Sequence, residues 1–208
     1  MMKKQKGNLL IAFGVILLAG ALGLACFNVY EAKNAREASL LACSVIEEQI
    51  AEKKPEENPS SQNPAEEEIP DYILHPEMEM PVITVDGIDY IGTVEIPALG
   101  IKLPVISEWS YPGLKKAPCR YFGSVYTDNM VIAGHNYSSH FKGLEDVPKG
   151  ELVIFYDADG NGFLYRVSAK EVLPPTAVEE MTSGWDLTLF TCNAAGTYRV
   201  AIRCDREQ

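Results

Sequence analysis

The stretch Leu187-Thr188-Leu189-Phe190-Thr191-Cys192-Asn193 is followed by the loop 194–197 and by Tyr198-Arg199-Val200-Ala201-Ile202. Two apolar runs around a Gly-containing loop predict a strand, a short connection and a returning strand. A cysteine at a strand end can face a cleft, whereas one in mid-strand is usually packed. Arg199 opens the returning strand, so its guanidinium is expected near the Cys192 sulfur, where a cation favours the thiolate and can stabilise an oxyanion.

A second strand end carries a histidine, in Val131-Ile132-Ala133-Gly134-His135-Asn136. A nucleophilic cysteine needs a partner that protonates a leaving amine, and histidine does this near neutral pH. The other two histidines are His75, in a Pro-rich stretch, and His140, in a Ser-rich loop. His135 is therefore the best local candidate. On local sequence alone, a buried cysteine and a structural histidine remain the alternative.

The residue pattern of the second half of the chain is typical of a β-barrel. Short β-rich runs alternate with Gly, Pro, Asn and Asp, at 90–96, 102–106, 130–133, 152–156, 163–169, 187–191 and 198–204. Several short strands at this spacing predict a closed or nearly closed barrel. About 125 residues are enough for one such core.

The N-terminus predicts a membrane anchor. Lys3, Lys4 and Lys6 precede the uncharged apolar run 9–29, whose only polar residue is Asn28. A run of about 20 residues crosses a hydrocarbon core of about 30 Å, and the lysines favour a cytoplasmic N-terminus. A cleaved signal peptide and a lipoprotein site at Cys26 remain alternatives, although the apolar run continues past that cysteine.

Two segments separate this anchor from the barrel. Residues 31–50 lack Gly and Pro and carry apolar residues at roughly helical spacing, which predicts a helical stalk, with a partner-binding helix as the alternative. Residues 51–81 hold six prolines, and residues 51–80 carry nine acidic and two basic residues out of a net charge of -11. This composition predicts an extended acidic linker. The overall charge argues against nucleic-acid binding.

The five cysteines show no CxxC pair and no zinc-ligand spacing, so no structural metal is expected. Cys119 and Cys204 are expected to be buried thiols rather than a disulfide. Residues 157–162 (DADGNG) look like the start of an EF-hand loop, but the twelfth position is Ser168 rather than an acid. A β-hairpin turn is the better interpretation.

These motifs together resemble the sortase family. Thr188-Leu189-Phe190-Thr191-Cys192 matches the TLxTC signature, Arg199 matches the essential arginine, and 131–135 resembles the histidine segment. The opening runs 91–97 and 100–105, and the stretch from Phe141 to Glu151, are also similar to the family. The resemblance covers about Tyr90 to Cys204 and has three separate elements in the right order.

The resemblance implies a closed eight-stranded β-barrel with short helices, preceded by an N-terminal transmembrane helix. The implied domains are a cytoplasmic tail (1–8), a signal anchor (9–30), the stalk (31–50), the linker (51–81) and a catalytic domain (82–208). The implied location is the cell membrane of a Gram-positive cell, with a single span and the catalytic domain outside. Class B or D is favoured over class C, because no C-terminal membrane helix follows the barrel.

The implied activity is a cysteine transpeptidase that uses no cofactor or metal. Cys192 attacks between Thr and Gly of an LPxTG-like signal on exported surface proteins, and His135 protonates the leaving amine. The thioacyl group then passes to an amine of the peptidoglycan precursor or of a pilin lysine. Arg199 stabilises the oxyanion or positions the substrate, with Arg203 as a fallback, and Thr191 and Asn136 support substrate binding.

Two other functions remain open from the sequence: a cysteine peptidase that only hydrolyses, and a non-enzymatic surface-binding β-domain. The loop after Cys192 is short, so it supplies little cover for a substrate. Specificity is expected in other loops, chiefly residues 173–185. No obvious lid precedes the barrel, although the acidic linker could fold over the cleft.

Overall fold

The computed structural model of the protein describes residues 2–53 and 69–207. Within these ranges the helices are α1 (Met2–Lys53), α2 (Asp71–Leu74), α3 (Tyr111–Leu114) and α4 (Val178–Thr182). The strands are β1 (Ile83–Val85), β2 (Ile88–Ile96), β3 (Ile101–Ile106), β4 (Cys119–Phe122), β5 (Met130–Ala133), β6 (Leu152–Asp157), β7 (Gly162–Leu173), β8 (Leu187–Cys192) and β9 (Arg199–Arg206).

Eight of these strands close into a barrel. The hydrogen-bonded order is β2-β3-β4-β5-β8-β9-β7-β6, and β6 pairs back to β2 to complete the ring. β1 pairs only with β2 and lies outside the ring. Two pairings are parallel, β3 with β4 and β5 with β8, and the other pairings are antiparallel. The predicted closed eight-stranded barrel is confirmed.

The alternation of side chains along the strands explains why this sheet curls around a core. In β6 every second residue is buried, and the first half of β7 alternates in the same way. Alternate side chains point to opposite faces of a sheet, so one face of each strand fills the interior. Burial of one large apolar side chain stabilises the fold by roughly 1.5–3 kcal/mol. The interior includes Ile91, Val94, Val105, Ile132, Phe155, Phe163, Leu189 and Ile202.

Gly92 allows β2 to bend where it pairs with two neighbours. It lies at a register shift in the β2–β3 pairing and is also opposite Asp157 in the β2–β6 pairing. Its φ is 144°, and a Cβ atom there would lie 1.9 Å from the backbone oxygen of Tyr156. Only glycine adopts this conformation without strain, so the barrel closes at this position because the residue has no side chain.

Helix α1 runs without a break from the apolar N-terminal segment to the barrel. It is the helix, among the described residues, that is long and apolar enough to cross a membrane, and no residue of its apolar window is buried. The residues predicted as a stalk form its second half. That half packs against the barrel at β1 and β3 rather than standing clear of it.

The face of α1 that contacts the barrel carries small side chains. Its buried residues are Ala35, Ser39, Ala42, Cys43 and Ile46. Their spacing of three or four residues defines one helix face. The Ser39 hydroxyl donates a hydrogen bond to the carbonyl oxygen of Lys116 at 3.0 Å. Further along, Lys53 forms an ion pair with Asp159 at 2.7 Å.

Packing onto the barrel also begins before residue 82, where the sequence places the start of the catalytic domain. The ring of Tyr72 stacks on Tyr126, with centroids 4.9 Å apart, and Met80 is buried in the core. Residues 54–68 of the predicted linker lie outside the described residues. Single apolar residues among prolines and acids form no periodic pattern, so composition alone does not reveal such contacts.

Candidate functional site

Cys192 is the last residue of β8, at the rim of the barrel. The five residues before it are buried, whereas Cys192 itself is partly exposed. The chain then turns, and Asn193 closes the turn by exchanging hydrogen bonds with Tyr198, whose backbone N–H donates to Asn193 Oδ1 at 3.1 Å. The register of β8 and β9 places Arg199 directly opposite Cys192. Hence the strand-end cysteine and the facing arginine lie where the sequence predicts them.

The outer face of β5, β8 and β9 forms the floor around Cys192. Val131, Ala133, Phe190 and Ala201 belong to one cluster on this face, separate from the barrel interior. Cys192 follows Phe190 by two residues, and side chains two apart in a strand share a face. By the same rule Arg199 shares the face of Ala201. The candidate site is therefore outside the barrel, at one end of these three strands.

His135 lies at the level of Cys192 because β5 and β8 are parallel. Ala133 is opposite Phe190, and the backbone N–H of Gly134 donates to the carbonyl oxygen of Phe190 at 2.9 Å. Two residues beyond this pair come Cys192, the last residue of β8, and His135, in the loop after β5. Within the described residues, no hydrogen bond joins Cys192 to His135, and catalytic hydrogen bonds often tighten only when substrate binds.

The loop after Gly134 fixes the histidine. A Cβ atom at position 134 would lie 2.4 Å from the ring of Phe141, so glycine permits this close approach. The backbone N–H of Phe141 donates to the carbonyl oxygen of His135 at 3.1 Å. The imidazole stacks on the ring of Tyr137, with centroids 4.6 Å apart and an interplanar angle of 21°. Burial lowers the pKa of His135, so the neutral imidazole is favoured.

The other two histidines are unsuited to proton transfer at this site. His75 is exposed and follows α2. His140 is buried, with the backbone of Lys116 near its ring and no well-formed hydrogen bond to either ring nitrogen among the described residues. Burial lowers the pKa of His140 to about 4. His140 is therefore a neutral core residue near neutral pH.

This buried histidine predicts an acid-sensitive fold. Its pKa is about 4 in the folded chain, against about 6.5 in the unfolded chain, so the unfolded state binds the proton more tightly. The contribution of neutral His140 to the free energy of unfolding is fully present above about pH 6.5. It is lost as the pH falls toward about 4. Between about pH 7 and pH 5 the loss is about 2 kcal/mol.

The test is chemical unfolding of the full chain in detergent, followed by fluorescence of Trp109 and Trp185. We expect His140→Phe to show a smaller loss of unfolding free energy on acidification than the parent chain. The His75→Gln variant is the matched control and should keep the parent's pH dependence. Equal acid sensitivity of His140→Phe and the parent chain would contradict the assignment.

The two arginines of β9 have different surroundings. Arg203 is buried and donates hydrogen bonds to Glu171, Thr188 Oγ1 and the carbonyl oxygens of Met181 and Glu180. Its guanidinium ties α4 and β7 to β9. One guanidinium nitrogen of Arg199 is shielded from solvent and has no partner among the described residues. Arg199 therefore has hydrogen-bonding capacity free for a bound molecule, and Arg203 does not serve as its fallback.

Three of the predicted site residues line one small cavity. Cys192 lines it together with Thr191, Asn136 and Glu145. The hydroxyl of Thr191 is buried and has no hydrogen-bond partner among the described residues. His135 and Arg199 do not line this cavity; Arg199 is opposite Cys192 in β9, and His135 follows β5, the other neighbour of β8. The five predicted site residues thus lie around one end of β8.

The remaining cysteines differ from Cys192 in their environment. Cys26 is exposed on α1, while Cys43, Cys119 and Cys204 are buried free thiols. Burial raises the pKa of Cys43 to about 12 and that of Cys119 to about 11. The prediction of buried thiols at Cys119 and Cys204 is confirmed. A buried thiol with a raised pKa is a poor nucleophile.

The DADGNG segment forms the turn of the β6–β7 hairpin, as predicted. Asp157 Oδ1 accepts hydrogen bonds from the backbone N–H groups of Asp159 and Asn161. Its other oxygen accepts from Tyr126 Oη and Asn161 Nδ2, both at 2.8 Å. The carboxylate is thus fully used inside the protein, and it stabilises the turn.

Sequence reasoning missed the surroundings of His135. Tyr137 lies against its imidazole, and the Tyr137 hydroxyl donates to a carboxylate oxygen of Glu31 at 3.3 Å. Glu31 also forms an ion pair with Lys115 at 3.0 Å. Glu31 is more than 100 positions before His135 in the chain. No local sequence motif connects the two residues.

The fold and the site define an eight-stranded β-barrel protein with a cysteine, a histidine and an arginine on three adjacent strand ends. The family model for the sortase domain matches residues 94–207, more than half of the chain. The chain therefore belongs to the sortase family. No curated protein matches the chain.

Solved sortase structures share the fold. Sortase C1 of the GBS pilus island 1 is 22% identical with a TM-score of 0.52, and the match covers 57% of this chain and 64% of that chain. The group B Streptococcus pilus island 1 sortase C2 is 25% identical with a TM-score of 0.52, covering 57% and 74%. The X-ray structure of Clostridium perfringens sortase C with the C-terminal cell wall sorting motif is 21% identical with a TM-score of 0.59, covering 82% and 100%.

Proposed function

We propose that this chain is a membrane-anchored cysteine transpeptidase that cleaves an LPxTG-like sorting signal between Thr and Gly. The acyl group then passes to an amine of the peptidoglycan precursor or of a pilin lysine. The observation that carries the proposal is the parallel pairing of β5 and β8, which brings the loop with His135 to the end of β8 that carries Cys192, while β9 has Arg199 opposite Cys192. The proposed substrates are exported proteins with a C-terminal sorting signal.

In the first half-reaction Cys192 acts as the nucleophile. His135 is neutral because burial lowers its pKa, so it can take the thiol proton. The sulfur adds to the Thr carbonyl, and the developing oxyanion needs a nearby donor. The unpartnered nitrogen of Arg199, on the same strand face as Cys192, is the proposed donor, and the unpartnered Thr191 hydroxyl lies in the adjacent cavity, among the described residues.

The leaving amine then departs with the proton carried by His135, the C–N bond breaks and a thioester forms on Cys192. In the second half-reaction an acceptor amine attacks the thioester carbonyl. His135 takes a proton from that amine and returns one to the departing sulfur. An amide bond replaces the thioester, so the enzyme ends in its starting state and needs no cofactor.

Asn136 and Glu145 line the cavity beside Cys192, which makes this cavity the proposed place for substrate atoms next to the scissile bond. The cavity is about the size of one water molecule, so it can admit single substrate atoms rather than a whole side chain. Asn136 is therefore proposed as a substrate-supporting residue. Residues 173–185, which include α4, are proposed to contribute to specificity.

The proposed location is the cell membrane, with residues 9–30 spanning it once and the barrel outside. Two facts support it: α1 has the length and composition of a membrane span, and three lysines precede the apolar run. An enzyme held there meets exported chains as they leave the membrane. The class B- or D-like assignment also stays a prediction.

The test is a peptide-library assay with the full chain in detergent or lipid nanodiscs. LPxTG-type peptides are incubated with excess amine, and products are read by mass spectrometry. We expect cleavage after Thr and a product that carries the amine in amide linkage. Cleavage with only water incorporated would mean a hydrolytic peptidase, and no cleavage of any library member would contradict the enzymatic proposal.

A further inference from the structure

We propose that Glu31 of helix α1 is a positioning residue for His135, so that the membrane-anchor helix forms part of the active-site support. The proposal rests on the proposed function for the role of His135. Its structural basis is independent of that role. The loop that carries His135 contacts α1 at two adjacent residues, Glu31 and Ala32.

The contact links α1 to the imidazole through one tyrosine. The ring of Tyr137 stacks on His135 at 4.6 Å between centroids, and its hydroxyl donates to Glu31 at 3.3 Å. At the next residue of α1, the carbonyl oxygen of Ala32 accepts a hydrogen bond from the Ser139 hydroxyl at 3.2 Å. Both sides of the Tyr137–Ser139 turn are therefore fixed to the same helix turn. The tyrosine ring holds one face of the imidazole.

Glu31 also places a negative charge near His135. Its carboxylate pairs with Lys115 at 3.0 Å, and the attraction of Glu31 opposes the effect of burial on the His135 pKa. A neighbouring negative charge favours the imidazolium, which forms when His135 takes a proton. The ionisable groups that act on or contact His135 are Glu31 on α1, Lys115 after α3, and Tyr137 and His140 in its own loop.

Glu31 lies just after the predicted membrane span, so its contact with the His135 loop is close to the membrane surface. The apolar run ends at Val29, two residues earlier, which is about 3 Å along a helix. α1 is continuous across this boundary. If residues 9–30 span the bilayer, the loop that carries His135 is held at the membrane surface. The site would then meet sorting signals and acceptors that are themselves attached to the membrane.

The experiment compares Glu31→Ala with Glu37→Ala in the full chain, in nanodiscs. Glu37 lies on the same helix, pairs only with exposed Lys33 among the described residues, and is the matched control. The His135 pKa is measured by NMR titration of the chain's histidines, with His75→Gln and His140→Phe used to assign the signals. Transfer of a peptide to an amine gives kcat and KM.

We expect Glu31→Ala to lower the proton-binding constant of His135 by about threefold. Loss of the support should lower kcat by about tenfold with little change in KM. Glu37→Ala should match the parent chain in both measurements. An unchanged His135 pKa in Glu31→Ala overturns the proposal, whatever happens to the rate. The titration decides this even if the parent chain transfers no peptide, an outcome that would instead remove the proposed function.

Discussion

Cys192→Ala is expected to abolish peptide transfer, with a loss in kcat of at least about 1000-fold. Without the sulfur no thioester can form, and the remaining groups supply only binding and oxyanion stabilisation. Cys192 lies at the exposed end of β8, so truncation to Ala leaves the barrel interior unchanged. The variant should therefore fold as the parent does. Peptide cleavage and transfer are followed by mass spectrometry.

The chain provides its own control for this prediction. Cys26 is the other cysteine that is not buried, and it lies on α1 away from the barrel. Cys26→Ala should keep the parent rate. Alkylation with a small thiol reagent should inactivate the parent and Cys26→Ala alike, with modification mapped to Cys192. Substantial transfer by Cys192→Ala would show that the chemistry does not pass through this sulfur.

Of the nine strands in the described residues, seven match the predicted β-rich runs, and β4 and β1 were not predicted. β4 has four residues and joins β3 through a single registered pair, Ile106 with Cys119, so it leaves almost no pattern. β1 has three residues, but a signal was present. Asp86-Gly87, both at positive φ, form the turn between β1 and β2, and Asp-Gly between apolar runs is a strong hairpin signal.

The docking of α1 on the barrel was not predictable from hydrophobicity. Leu40 and Leu41, the most apolar part of the predicted stalk, are exposed, at 58% and 52%. The buried face instead carries mostly small side chains, Ala35, Ser39, Ala42 and Cys43, with Ile46 as its large apolar residue. Small side chains let a helix approach a sheet closely, but they give a weak hydrophobic pattern. This is also why Glu31 could not be connected with His135 from the sequence.

The order of the strands brings the predicted site residues toward one end of the barrel. A strand that ends in Gly-His and one that ends in Thr-Cys become neighbours only if β5 and β8 are adjacent and parallel, as they are. Sequence alone does not dictate that adjacency. Arg199 and Arg203 share a strand face, and only the contacts of Arg203 with Glu171 and Thr188 separate their roles.

His135→Gln is the second variant with a large expected effect, a fall in kcat of about 100- to 10,000-fold. Glutamine retains hydrogen-bonding capacity and similar length but cannot carry the proton from sulfur to the leaving amine. The His75→Gln variant is the matched control, because His75 is exposed beside α2, and it should transfer peptide at the parent rate.

The pH profile makes this prediction specific to proton transfer. Burial lowers the pKa of His135, so the neutral base persists to lower pH than for an ordinary histidine. In the parent chain the acid limb of kcat/KM should therefore lie below about pH 6.5. His135→Gln has no imidazole to protonate, so its residual activity should lack that limb. If the variant kept both the limb and most of the rate, another group would be the proton carrier, and the parallel register of β5 and β8 would serve only to pack the barrel.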